Sequence, residues 1–118
     1  MTRLQNILME SRLIYIMSEK RKPQVLWVRH TDTEWVYFGD GKEVKHHIVK
    51  EILDNHFSEK YLCVCLTRIG SFEVCKDEFF DKTAGYLGYQ NFIIWNASFD
   101  LTVEFNRIGV LRVGQVNR

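Results

Sequence analysis

Near the C-terminus, apolar and polar positions alternate rather than recurring at helical spacing. Leu101, Val103 and Phe105 are separated by Thr102 and Glu104. A period of two marks a half-buried strand. Asn106, Arg107, Ile108 and Gly109 then offer turn chemistry, and residues 110–113 can fold back on the first strand. Residues 92–95 are a short apolar run suited to a third, more buried strand. A meander of this kind has an apolar face that the preceding segments must cover.

Those segments supply helices and hairpins. Residues 4–20 contain no Gly or Pro and place Leu4, Ile7, Leu8, Ile14 and Met17 at roughly helical spacing, which predicts a helix ended before Pro23. Met9 and Met17 are alternative starts, and a chain begun at Met17 makes this helix an accessory. Residues 25–30 and 34–38 read as the arms of a hairpin around 31–33, because β-branched and aromatic residues dominate both. Leu26, Val28, Val36 and Phe38 are its expected inner face, with Trp27, Trp35 and Tyr37 on the other. Residues 43–57 carry the strongest amphipathic pattern: Val44, Ile48, Val49, Ile52, Leu53 and Phe57 form one stripe. Asp40 with Glu43 three residues later resembles a capping box.

A second hairpin is expected from residues 61–67 and 72–75, turning at 68–71. A short helix at 78–84 follows, capped by Asp77 and ended by Gly85 in the left-handed conformation. The order is helix, hairpin, helix, hairpin, short helix, meander. It predicts an α+β fold with a mainly antiparallel sheet and helices on one face.

A length of 118 residues makes one domain the expectation, and 46% hydrophobic residues are ample for a core. A formal charge of +1 gives no bulk attraction to nucleic acid. No stretch is long and apolar enough for a membrane span, and no cleavage site follows the N-terminal apolar residues. Three cysteines are an odd number in a chain large enough to fold without bridges, which points to free thiols and a cytoplasmic location.

No set of residues completes a catalytic or cofactor motif. His46 and His47 are neighbours on a helix and diverge, while His47 with Glu43 or Glu51 has metal spacing but lacks a second histidine. His56 sits at a helix end, where a cation suits the dipole. His30 beside Thr31 and Asp32 has the components of a general base, and equally those of a turn. Cys63 and Cys65 share one strand face, with Cys75 on the return strand. They suit small core positions, with zinc held by three thiols and a histidine as the alternative. Gly39-Asp40-Gly41-Lys42 lacks Walker spacing. No cofactor or metal is therefore expected, and no enzymatic reaction.

What remains is recognition. Three Trp, five Tyr and eight Phe exceed what such a core requires, and Trp and Tyr concentrate at protein–protein hot spots. Asp32, Glu34 and Asp40 lie in sequence beside Trp35 and Tyr37, and these five residues are the expected partner contacts. Lys20, Arg21, Lys22 and Arg29, with Arg107, Arg112 and Arg118 adding positive charge near the C-terminus and Trp27, Trp35 and Tyr37 interleaved, suggest an alternative: a single-stranded RNA surface or a small nucleic-acid-processing protein that also uses His30 and His47. In size, element order and its ending WNASFDLTVEFNRIGVLRVG, the chain resembles the small immunity proteins of bacterial contact-dependent growth inhibition and related polymorphic toxin systems. That resemblance implies a tight one-to-one complex with a toxin, a nuclease in many cases, with no membrane partner. Its +1 charge departs from the acidic character of many nuclease inhibitors and calls for a local acidic patch with aromatic anchors.

Overall fold

The C-terminal meander forms the centre of the sheet in the computed structural model, which describes residues 3–39 and 42–117, with side chains from residue 11 onward. The helix α1 spans Arg3–Arg21. The strands are β1 (Val25–Trp27), β2 (Val36–Tyr37), β3 (Tyr61–Cys65), β4 (Phe72–Cys75), β5 (Phe92–Trp95), β6 (Leu101–Asn106) and β7 (Val110–Val116). Helix α2 (His46–His56) lies between β2 and β3, and α3 (Phe79–Thr83) between β4 and β5. The sheet is antiparallel throughout, in the order β1-β7-β6-β5-β3-β4, with β2 also pairing β7.

The α+β class and the antiparallel sheet agree with the sequence pattern, but the helices lie on both faces. One face packs Val64, Ile94, Val103, Phe105 and Leu111 against Val49, Leu53 and Phe57 of the α2 segment and Phe79 of α3. The other packs Cys63, Cys65, Ile93, Trp95 and Val116 against Ile14, Tyr15 and Met17 of α1. The reason is visible in β5, whose four residues are all buried. A strand that is apolar on both sides needs cover on both.

The first hairpin does not form. β1 and β2 each pair with β7, through Val25↔Val116 to Trp27↔Gly114 and through Val36↔Leu111 and Tyr37↔Val110. They therefore run in the same direction along one edge, and the residues between them leave the sheet as a loop. The longer β7 offers an unpaired edge to both arms, so long-range pairing replaces the local turn. Facing is altered accordingly. Val36 and Phe38 reach the α2-side core as expected, but Val25 is the buried residue of β1, while Leu26 and Val28 are about half exposed.

Several terminators also differ. α2 begins at His46, three residues later than the amphipathic stripe suggests. Gly39 (φ +101) brings the chain so close to Glu43 O that a Cβ would collide with it, and Lys45 N donates to Phe38 O. The backbone at 43–45 thus closes a loop. Asp40, half of the expected capping box, lies outside the described residues, as do the side chains of Leu4, Ile7 and Leu8. Asp77 does not cap α3, because it sits inside a 3-10 turn, Lys76–Glu78. Gly85 does not take the left-handed conformation; Gly88 does (φ +82), after Tyr86 and Leu87 have each donated to Thr83 O. The β6–β7 turn is as read: Gly109 (φ +94) closes onto Asn106 O.

Gly114 sets how closely β1 approaches β7. A Cβ there would stand 2.5 Å from Val25 Cγ1, 2.8 Å from the Trp27 ring and 3.0 Å from Leu26 O. Gly114→Ala is expected to cost about 1–3 kcal/mol, the usual range for overpacking. Differential scanning calorimetry would register this as a lower Tm, with a change in Trp27 fluorescence.

Candidate functional site

The loop 29–35 leaves the sheet edge between β1 and β2, and Arg112 ties it back to the sheet. Arg112, on β7, lies with its guanidinium carbon 3.9 Å from the centre of the Trp27 ring and 4.7 Å from that of Trp35. Its Nε donates to Glu104 Oε1 at 2.7 Å, and one terminal nitrogen donates to Glu34 Oε1 at 3.0 Å. Strand register explains the first pair, since Glu104 and Arg112 are direct cross-strand neighbours. The second pair bridges the loop to the sheet. A planar guanidinium suits this place because it stacks on aromatic faces and donates in its own plane at once.

Inside the loop, His30 N donates to Thr33 O and Trp35 N to Thr33 Oγ1. These bonds turn the chain back so that Trp35 reaches Arg112. Arg29, His30, Thr31, Asp32 and Thr33 remain exposed.

The expected contact residues therefore separate. Asp32 is exposed at the loop tip. Glu34 and Trp35 are drawn together on Arg112 and are only partly exposed. Tyr37 stands apart, 55% exposed, with Lys45 Nζ 5.3 Å from its ring centre. Asp40 lies outside the described residues. Arg112 organises the loop; the sequence marks it only as one of several positive charges near the C-terminus, although its cross-strand pairing with Glu104 follows from the turn at 106–109.

Two clefts open beside the loop, one on each side of the sheet. Under α1, a cleft of about 230 Å³ is lined by Tyr15, Glu19, Lys22, Trp35, Glu104 and residues at the ends of β3 and β5. On the α2 side, a more apolar cleft of about 220 Å³ is lined by Val28, His30, Val36, Ile52, His56 and Val113.

His56 closes the second cleft. It ends α2, is half buried, and shares a hydrogen bond of 2.9 Å between Nε2 and Gly114 O. Burial pushes its pKa below the ordinary 6.5, with the Gly114 carbonyl opposing that shift. A neutral imidazole donating from Nε2 fits this site, so the helix-end cation expected from the sequence is disfavoured by desolvation. Above pH 6.5, His56 is neutral both folded and unfolded. As pH falls, the unfolded chain takes up the proton first, and stability is lost through the folded pKa. Thermal melts between pH 7.5 and 5.5 are expected to show a smaller fall in Tm for His56→Gln than for the unaltered chain.

The other titratable candidates do not converge. His46 meets the edge of Phe80 at 4.7 Å between ring centres, and His47 is exposed. Cys63 and Cys65 are buried under α1, Cys75 is half buried, and none is in a disulfide. His56 lies across the sheet from them. Among the described residues, no group of three or more His, Cys, Asp or Glu could hold a metal ion. Of the basic patch, Lys22 pairs with Glu19 at 3.3 Å and Arg21 donates to Gln24. Trp27 and Trp35 each already have one face on Arg112, which limits them as platforms for RNA bases. Among the described residues, no helix is long and apolar enough to cross a membrane. Comparison with family models, with curated proteins and with solved structures finds no match to this chain, so the reading of the site rests on its own geometry.

Proposed function

We propose that this chain is a small recognition protein that acts by occupying a protein partner, in the manner of an immunity protein bound to its toxin. The observation that carries this is the pinned loop 29–35. Its exposed tip residue Asp32 is flanked along the same edge by exposed apolar groups: Leu26 at 54%, Val28 at 46% and Tyr37 at 55%. Exposed apolar side chains on either side of a held loop are common in protein-binding surfaces. A preorganised loop also loses less entropy on docking. The clefts to either side give a partner places to insert side chains.

Under this proposal the partner is a toxin, and a nuclease domain is the first to try. Asp32 then supplies one exposed carboxylate for a basic group of the partner, which a net charge of +1 does not provide in bulk. The experiment is co-expression with the toxin-bearing product of the reading frame directly upstream of the gene, scoring growth and isolating the complex. Restored growth and a one-to-one complex support the proposal. Growth arrest that persists, with no complex on gel filtration, overturns it. Asp32→Lys is expected to weaken the complex about tenfold by calorimetry, while moving stability by less than about 0.5 kcal/mol, as for other exposed positions.

A further inference from the structure

We propose that the free edge of β4 accepts an extended strand of another protein, which lengthens the sheet beneath the N-terminal half of α1. This surface lies at the opposite end of the sheet from the loop 29–35 and does not depend on the reading of that loop.

The ladder decides which way the β4 backbone faces. Lys76 N donates to Lys60 O, and antiparallel pairs alternate between bonded and non-bonded, so Leu62↔Val74 and Val64↔Phe72 are the bonded pairs. Ser71, Glu73 and Cys75 therefore turn their N–H groups away from β3. Ser71 N is taken by Ser11 Oγ at 3.0 Å. The N–H groups of Glu73 and Cys75 and the Glu73 carbonyl face outward, and among the described residues no strand lies beyond β4. Such a row is a template for a further strand.

Helix α1 covers the space beside that edge. Ser11 is tied to the β3–β4 turn, and Ser18 accepts from Trp95 Nε1 on β5. Ser11 to Ser18 is about 10.5 Å of helix rise, and β4 to β5 is two strand spacings, about 9.6 Å. The helix thus runs mainly across the strands. Its residues before Ser11, from Arg3 onward, carry it about 12 Å further, past the end strand. In sequence, Leu4, Ile7 and Leu8 continue the helical register that Ser11, Ile14 and Ser18 use toward the sheet. An apolar stripe that runs on beyond its own sheet has a use for a strand supplied by another chain.

Glu73 sets the chemistry of the occupant. It is exposed, and its pairing with Cys63 puts it on the α1 face. A basic residue beside it completes a cross-strand pair, whereas a second copy aligned at Glu73 sets two carboxylates side by side. A charge on an edge strand also discourages pairing between identical edges. The occupant is an extended segment with apolar residues under α1 and a lysine or arginine beside Glu73.

The test titrates the full chain with a blocked peptide, valine-threonine-lysine-threonine-valine, while the amide NMR signals of Glu73 and Cys75 are followed. Saturable shifts and slower exchange at both amides are expected. Methylating the lysine backbone nitrogen, which keeps the charge and removes one donor, should weaken binding about tenfold. Glutamate in place of the lysine should weaken it about fivefold, and Glu73→Lys should reverse that preference. Ile7→Ser should weaken binding about tenfold. Thermal melts verify that each variant is folded.

The absence of saturable shifts at Glu73 and Cys75 overturns the site. Indifference to backbone methylation overturns strand pairing, and an unreversed charge preference overturns the role of Glu73. Unchanged affinity in Ile7→Ser overturns the cover by α1. A dimer on gel filtration that Glu73→Pro dissociates replaces the foreign strand by a second copy; proline is tolerated there because the Glu73 N–H lies outside the β3–β4 ladder. A chain that restores growth beside its toxin yet ignores the peptide fails here alone.

Discussion

A chain begun at Met17 is expected to lose cooperative unfolding altogether. Residues 11–16 are integral to the α1 side of the structure. Ile14 is 5% exposed and packs with Cys63, Cys65, Ile93 and Trp95. Ser11 is buried, accepts from Ser71 N and donates to Arg68 O, tying α1 to the β3–β4 turn. Losing a buried Ile costs about 2–5 kcal/mol. A stranded backbone N–H costs about 1–3 more. Uncovering the apolar face of β3 and β5 adds to both. The total approaches the roughly 5–15 kcal/mol that holds a domain together. Circular dichroism melts and dye binding would show a broad transition and exposed apolar surface. A sharp melt like that of the full chain would mean α1 is dispensable. Trp95 gives a milder probe of the same seam. It is fully buried, and its indole N–H donates to Ser18 Oγ at 2.9 Å.

Replacing Arg112 by leucine is expected to cost about 2–3 kcal/mol, between the value of an exposed ion pair and that of a buried one. Glu34 and Glu104 lose their shared partner while remaining largely enclosed, with side-chain exposures of 32% and 25%. Trp27 and Trp35 lose the cation between them. The loop then has no fixed position. Amide exchange across residues 29–35 is expected to rise, while exchange in β5 and β6 stays slow. Arg112→Lys should restore little, since an ammonium cannot stack on two rings and donate to both carboxylates in one plane. If exchange in the loop is unchanged, its own turn bonds hold it and Arg112 is incidental.

These outcomes bear on function because the loop is the proposed recognition element. If it loosens without unfolding the sheet, Arg112→Leu should weaken the partner complex through added ordering entropy and not through lost contacts. Asp32→Lys should weaken it through a lost contact alone. The pair separates preorganisation from recognition.

Much of the chain could be read locally. The amphipathic stripe of α2, the alternation in β6 and the turn at 106–109 each depend on residues within a few positions of one another. Helix and hairpin chemistry act at that range, so their signals survive in the sequence. The five expected contact residues are legible in the sequence only as composition. Asp32 and Tyr37 face solvent, Glu34 and Trp35 meet Arg112 and are partly exposed, and Asp40 lies outside the described residues. Nothing local marks that difference, because Arg112 lies far along the chain from both.

The amino-acid order by itself determined the class of fold, most of the elements and the apolar residues of the α2-side core. The tertiary structure decided that β1 and β2 line the edge of β7 instead of each other, that α1 covers a second apolar face, and that one arginine gathers two tryptophans and two glutamates around a loop. The physical reason is range. Periodicity and turn propensity report what a segment gains from its own neighbours, whereas edge pairing and a shared cation are gains that exist only once distant strands have met.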